Sequence, residues 1–297
     1  MAAATGAPNG ATTKEVVKSS ATYQGEFNDK HEKHGQGVLT WDDGDRFEGT
    51  FRNDVKVSGT FTWNCGDRYT GEWKNSLMDG HGVYYYKDGR KYDGQWRGGF
   101  KEGKGVFTWP SGGSYEGYFQ QDKCSGLGIM READGRVYMG EWLGNQKHGW
   151  GVMQWPNEEK SEACWQSNIR CGLSIFTDSS GKRSIEKWHR GSRDGARTPL
   201  RRTAAQMKEF LTISDRAKWL PDSEFKGCYK CDLPFTLTNR RHHCRHCGAV
   251  FCNACTTKRL AVPRVGQIEP ARVCDECFVS IQIWDVLQKL EGLKDNE

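Results

Sequence analysis

Tyr92-Asp-Gly-Gln-Trp96, followed by Gly103-Lys-Gly-Val-Phe-Thr-Trp109, is the stretch on which the architecture of this chain turns. In both segments aromatic, small and polar residues alternate with the two-residue period of a β-strand. The pattern returns about every 23 residues, as Tyr23-Gln-Gly-Glu-Phe27, Phe47-Glu-Gly-Thr-Phe51, Tyr69-Thr-Gly-Glu-Trp73, Tyr115-Glu-Gly-Tyr-Phe119 and Tyr138-Met-Gly-Glu-Trp142. Glycine-led partners such as Gly35-Gln-Gly-Val-Leu-Thr-Trp41 and Gly149-Trp-Gly-Val-Met-Gln-Trp155 follow. Asp43-Gly44, Asp88-Gly89, Asp134-Gly135 and Ser180-Gly181 tolerate positive φ and predict two-residue hairpin turns. One hairpin cannot bury its ring face alone, so stacked hairpins sharing a ribbon of aromatics are expected.

Six repeats are well formed, although the second is clipped, with Val57 where its first glycine belongs. Beyond Tyr138 the pattern decays. Ser161-Glu-Ala-Cys-Trp165 keeps only the last ring, Cys171-Gly-Leu-Ser-Ile-Phe176 still resembles a second strand, and Ser184-Ile-Glu-Lys-Trp188 reads as a final half-repeat suited to capping. His34, His81 and His148 each precede a glycine, and one per repeat is too far apart to chelate a metal. From 22 to 188 these units resemble MORN repeats. The resemblance implies an elongated, single-layer antiparallel sheet used mainly as a scaffold or dimerisation surface, for which lipid binding has also been proposed.

At 297 residues the chain has room for two domains, and 36% hydrophobic residues beside 36 glycines argue against one large core. No apolar run approaches a membrane-spanning length. Met1 to Ser20 lacks a charged segment followed by an apolar one, so it does not read as a secretory signal, and its Met-Ala start argues against myristoylation. Its small and polar composition predicts a disordered tail. The formal charge is +5 overall, and a net +5 is concentrated in residues 189–218. Eight thiolates and two Zn²⁺ would bring the metal-loaded chain near +1. Global charge therefore predicts no partner, nucleic acid included, whereas the local basic segment from 189 to 245 does.

Eight of the twelve cysteines form Cys-x-x-Cys pairs: Cys228/Cys231, Cys244/Cys247, Cys252/Cys255 and Cys274/Cys277. In a chain without secretory features this favours metal over disulfides. Cys65, Cys124, Cys164 and Cys171 are scattered and read as free thiols. Four residues separate the second pair from the third, against 12 and 18 elsewhere, so two sequential sites would crowd. Interleaving makes Gly248-Ala-Val-Phe251 a strut between metals. Cys228, Cys231, Cys252 and Cys255 are therefore assigned to one zinc, and Cys244, Cys247, Cys274 and Cys277 to the other. All-thiolate sites are closed, so their role is to fold the segment and not to catalyse. With no nucleophile–base pair evident, an enzyme is not expected.

Between the pairs lies Arg240-Arg241-His242-His243-Cys244-Arg245-His246-Cys247-Gly248. This run either neutralises zinc-thiolate charge or presents planar donors to phosphate oxygens. As a strand it would carry Arg240, His242 and Cys244 on one side and Arg241, His243 and Arg245 on the other. His242, His243 and His246 are not needed as ligands. Trp219-Leu-Pro-Asp222, the Arg240–Gly248 run and Arg272-Val-Cys274 together, over 215–280, resemble the three signature motifs of the FYVE zinc-finger family. That resemblance implies binding to phosphatidylinositol 3-phosphate on endosomal membranes. It implies that Arg241, Arg245 and Arg272 hold the 3-phosphate and Arg240 the 1-phosphate. Asp222, His242 and His243 would hydrogen-bond inositol hydroxyls and exclude lipids phosphorylated elsewhere. The histidine pair implies tighter binding near pH 6 than near pH 8. In Leu233-Pro-Phe-Thr-Leu-Thr238 it implies a membrane-inserting tip at Leu237 and Thr238, with Phe235 packed beneath.

Thr198-Pro199 offers a helix start, with Met207, Phe210 and Leu211 on one face of Leu200 to Leu211. This segment reads as a solvated linker helix, or as one that lays Arg197, Arg201 and Arg202 on an anionic membrane. Ile283, Val286, Leu287, Leu290 and Leu293 recur at helical spacing and predict a helix, either packed on the finger or forming a homodimer contact.

The expected fold is mainly β: an elongated single-layer antiparallel sheet of repeated β-hairpins, a linker helix, then a small two-zinc cross-brace finger with a C-terminal helix. The expected divisions are a tail over 1–21, the repeat array over 22–188, a basic linker and helix over 189–214, the finger over 215–280, and a C-terminal helix and tail over 281–297. The functional expectation is a cytoplasmic, non-enzymatic adaptor or scaffold, peripheral on endosomal membranes, whose array mediates protein interaction or dimerisation. The rival readings are a RING-like ubiquitin ligase and a structural scaffold without lipid selectivity.

Overall fold

The computed structural model describes residues 20–200, 222, 226–263 and 267–294. The chain divides into two compact units. One runs to Ala133 and includes Trp142–Asn145; the other contains Asp134–Glu141 and everything from Gln146 onward.

The first unit is an antiparallel meander: β1 (Ala21–Phe27), β2 (Lys33–Trp41), β3 (Arg46–Arg52), β4 (Val55–Thr62), β5 (Arg68–Lys74), β6 (Leu77–Tyr85), β7 (Lys91–Arg97), β8 (Phe100–Thr108), β9 (Ser114–Gln120) and β10 (Lys123–Arg131). Each strand pairs with the next in sequence. The repeated tyrosines are its core. Tyr69, Tyr92 and Tyr115 are fully buried. Their hydroxyls donate to the carbonyls of Glu72, Gln95 and Tyr118 at 2.9, 2.9 and 3.0 Å. Each ring meets a ring of the next repeat edge-on, with centroids 5.4 Å apart for Tyr69–Trp96, 5.0 Å for Tyr92–Phe119 and 5.3 Å for Tyr115–Trp142. Gly71 faces Gly82 across β5 and β6, and a Cβ at Gly82 would collide with the Tyr69 ring. The paired glycines are the gap that the ring fills.

The turns depart from expectation. The Gly44 N–H donates to the Trp41 carbonyl and the Trp41 N–H to that of Asp45, both at 2.9 Å. The Asp43-Gly44 end is therefore a three-residue loop in which Gly44 alone takes positive φ, at 90°. The two-residue turns lie at the other ends of the hairpins, at Asn53-Asp54 (φ 50° and 65°), Asn75-Ser76 (50° and 62°) and Gln121-Asp122 (46° and 66°). An Asp-Gly pair suits either turn, because a type I turn ending in a left-handed glycine closes a hairpin as well as a type I′ turn does.

β11 (Val137–Leu143) is divided between the units, and its Tyr138, in the second, has its ring 5.5 Å from that of Trp165. β12 (Gln146–Gln154), β13 (Lys160–Gln166), β14 (Ile169–Thr177) and β15 (Arg183–His189) pair consecutively and antiparallel. The degenerate segments Ser161–Trp165 and Ser184–Trp188 are thus strands. Short strands β16 (Ser192–Arg193) and β17 (Thr198–Pro199) add to β15. This corrects the expected helix start: Thr198 and Pro199 are extended and pair with Ile185 and Ser184. A proline at a sheet edge loses no ladder bond. Residues 201–211 of the expected linker helix, and 1–19 of the expected tail, lie outside the described residues.

The finger region holds two small sheets, β18 (His242–His243) with β19 (Val250–Phe251) and β20 (Lys258–Val262) with β21 (Gln267–Val273), then helix α1 (Asp275–Lys294). α1 buries two faces. Ile281 packs into the cysteine-rich core, with Phe278 and Trp284 against it. Val279 and Ile283 join Val152 and Ile175 of the hairpins, with Trp150, Leu173 and Leu200 around them. Trp150 meets Phe278 edge-on at 5.9 Å. Beside this cluster the buried Arg183 guanidinium reaches the carboxylate of Glu276 at 2.7 Å and Ser280 Oγ at 3.4 Å. The apolar face of the C-terminal helix is thus used within one chain: Ile283, Val286 and Leu290 are all buried.

Candidate metal centres and anion site

The two cysteine quartets assemble as interleaving requires. Within Cys228, Cys231, Cys252 and Cys255, and within Cys244, Cys247, Cys274 and Cys277, all sulfurs lie within 4.8 Å of one another. Sulfurs at ~2.3 Å from a tetrahedral zinc sit about 3.8 Å apart; Cys231 and Cys252 are separated by 3.8 Å. The backbone shapes both sites. The Gly248 N–H returns to the Cys244 carbonyl at 2.9 Å, a tight turn that needs the positive φ of Gly248, 69°. N–H groups of Cys247 and Cys274 point at the Cys244 sulfur from 3.5 and 3.3 Å, and the Cys277 N–H points at the Cys274 sulfur from 3.5 Å. Donors aimed at sulfur suit thiolates, so the donor set fits two closed zinc sites. The expected strut is a turn followed by β19, and Ala249, Val250 and Phe251 are buried.

One histidine of the basic run does face a metal site. His246 is 4% exposed, and its Nδ1 lies 3.4 Å from Cys277 Sγ. It belongs beside the second quartet as a hydrogen-bonding neighbour of a ligand.

Of the run's other Arg and His residues, all but Arg240 turn to an open cavity of about 460 Å³. Arg241, His242, His243, Arg245 and Arg272 line it, together with Arg259, Gln267, Pro270 and Ala271. Arg245 is tied to this wall by its N–H, which donates to the Arg272 carbonyl at 2.9 Å. The Arg272 guanidinium is held by Asn253 Oδ1 at 2.8 Å and the Thr256 carbonyl at 3.1 Å. Asp222 Oδ1 lies 3.3 Å from His243 Nε2. Burial, then Arg272 and Arg240, hold His242 below the ordinary imidazole range. Among the described residues of the lining there is no Asp or Glu, so a cationic wall is presented to an anion. Arg240 is exposed and outside the lining. The expected two-faced strand is reduced to His242–His243, and residues of both parities reach the cavity, because pairing with β19 covers only those two positions.

The FYVE zinc finger family matches residues 218–283, and the MORN repeat family matches 23–46, 47–68, 69–89, 92–114, 115–135 and 138–159. The chain carries six MORN repeats followed by a FYVE zinc finger. Over 73 residues, a quarter of this chain, it is 51% identical to the hepatocyte growth factor-regulated tyrosine kinase substrate of Drosophila melanogaster. Over 62 residues, 21% of this chain, it is 45% identical to a lateral signaling target protein 2 homolog of Brugia malayi. These matches span only 9% and 10% of those relatives. A FYVE domain from Leishmania major is 43% identical over 23% of this chain and 80% of that one, with a TM-score of 0.22.

Next to the FYVE cavity, the 233–238 loop is closed by its own polar groups. The Thr236 N–H donates to the Asn239 carbonyl at 3.1 Å, and Asn239 Nδ2 donates to the Pro234 carbonyl at 2.8 Å. Phe235 packs against the finger core and lies 5.0 Å under the Arg241 guanidinium. Leu237 is left 93% exposed at the tip, with Thr238 beside it. Residues that sequence reasoning passed over are Arg259 and Gln267 in the lining and Ile268, 78% exposed on β21. Only the pairing of β20 with β21 brings Arg259 and Gln267 to the wall.

Proposed function

We propose that this chain is a non-enzymatic adaptor that its FYVE finger recruits from the cytoplasm to endosomal membranes carrying phosphatidylinositol 3-phosphate. The carrying observation is the cavity that gathers Arg241, His242, His243, Arg245 and Arg272. A monoester phosphate at position 3 carries more charge than the diester at position 1, so clustered guanidinium groups favour it. Arg241, Arg245 and Arg272 take the 3-phosphate, Arg240 the 1-phosphate from the rim, and Asp222 with both histidines the inositol hydroxyls. Asp222 also repels a phosphate at a neighbouring position. The two zinc ions, when bound, supply the cross-links that keep this wall rigid. Leu237 and Thr238 enter the bilayer interface. The MORN hairpins serve as a protein-interaction or dimerisation surface.

The test is flotation with vesicles containing phosphatidylinositol phosphorylated at position 3, 4 or 5. The expected result is selective capture by the 3-isomer and its loss in Arg241→Ala. Equal capture by all three isomers defeats the reading.

A further inference from the structure

Arg259 and Arg272 face each other in register across β20 and β21, and both side chains line the cavity. Like charges directly opposed in an antiparallel pair destabilise it. Among the described residues no carboxylate pairs with Arg259. Arg272 cannot turn away, because Asn253 and Thr256 hold its guanidinium. Arg245, tied to the Arg272 backbone, brings a third guanidinium to the same wall. A phosphate dianion seated between opposed guanidinium groups converts their repulsion into charge-assisted hydrogen bonds. Arg259 is exposed, so water relieves part of this repulsion; as a residue of the cavity lining it also stands where a bound phosphate would relieve it further.

We propose that Arg259 is a further anion-binding residue of this finger, acting with Arg272 as a cross-strand clamp on a phosphate monoester. The proposal rests on reading the cavity as a headgroup site, and it adds a ligand from β20, a strand outside the three motifs.

The experiment is calorimetric titration of the full zinc-loaded chain with water-soluble dioctanoyl phosphatidylinositol 3-phosphate and, separately, with inorganic phosphate. Wild type is compared with Arg259→Gln, Arg259→Lys, Arg241→Ala and the surface control Lys123→Gln, which matches the change in net charge. The expected result is a roughly tenfold loss of lipid affinity in Arg259→Gln, partial recovery in Arg259→Lys and no change in Lys123→Gln. Unchanged affinity in Arg259→Gln for both ligands overturns the proposal, while loss in Arg241→Ala alone leaves the headgroup reading intact. An equal loss in Lys123→Gln overturns it too, since net charge then accounts for the effect. If inorganic phosphate binds as tightly as the lipid and Arg259→Gln weakens both, the clamp stands and the inositol reading falls. No binding of either ligand by wild type overturns both.

Discussion

The guanidinium of Arg183 on β15 and the carboxylate of Glu276 on α1 meet at 2.7 Å, and both side chains are nearly excluded from water. Glu276 lies between Cys274 and Cys277, so this contact fastens the second metal site to the last hairpins. The finger's helix is therefore seated on the hairpins of β12 to β15. The cavity is held in one orientation relative to β12 to β15, the strands against which α1 packs.

Arg183→Ala is expected to destabilise the chain by about 3–5 kcal/mol, because it takes the guanidinium away from a buried carboxylate. The double substitution Arg183→Met with Glu276→Leu is expected to cost less than Arg183→Ala, since of the two carboxylates near Arg183 only the less buried Glu162, 3.8 Å away, then loses its partner. Denaturant unfolding with zinc present measures both. A loss below 1 kcal/mol in the single variant contradicts the structure.

Metal removal should act beyond the finger. Metal analysis is expected to find two zinc ions per chain. A strong chelator is expected to loosen α1 from Val152 and Ile175, exposing amides of β12 and β14 to hydrogen exchange. Amides of β5 to β8 should keep their protection. Uniform protection after zinc loss would mean that α1 docks without its metal site.

Leu237→Ala is expected to weaken vesicle binding by roughly 1.5–3 kcal/mol, the value of burying a leucine side chain. Affinity for the water-soluble lipid should not change, because Leu237 lies outside the cavity lining. Sedimentation with vesicles beside titration with soluble lipid separates the two, and equal losses in both assays would place Leu237 at the headgroup.

In the array, Tyr69→Phe removes one hydroxyl donor and is expected to cost about 0.5–1.5 kcal/mol. Gly82→Ala forces a Cβ into the same ring and is expected to cost about 1–3 kcal/mol. Thermal unfolding of the two variants ranks them. If Gly82→Ala is the milder change, the ring does not occupy the glycine gap.

The strands, both cysteine quartets and most of the cationic wall were legible because each rests on short-range spacing. A two-residue alternation names a strand, and an x-x spacing lets two thiolates share a metal. Arg241, His242, His243 and Arg245 are consecutive or nearly so. Turn geometry was less legible, since an Asp-Gly pair satisfies two hairpin closures and the flanking hydrogen bonds choose between them. Thr198-Pro199 carried a helix-start signal, yet an open strand edge at β15 took it instead.

The order of its amino acids, unaided, determined the hairpin repeat, the two zinc quartets and the FYVE and MORN character of this chain, because those properties are carried by neighbours along the backbone. Tertiary structure alone decided that Arg259 stands opposite Arg272, that His246 sits against Cys277 and that Arg183 meets Glu276. The last two are separated by 93 residues in sequence. Strand register, metal cross-linking and burial bring such groups together, and no local pattern encodes a distance that only the folded chain closes.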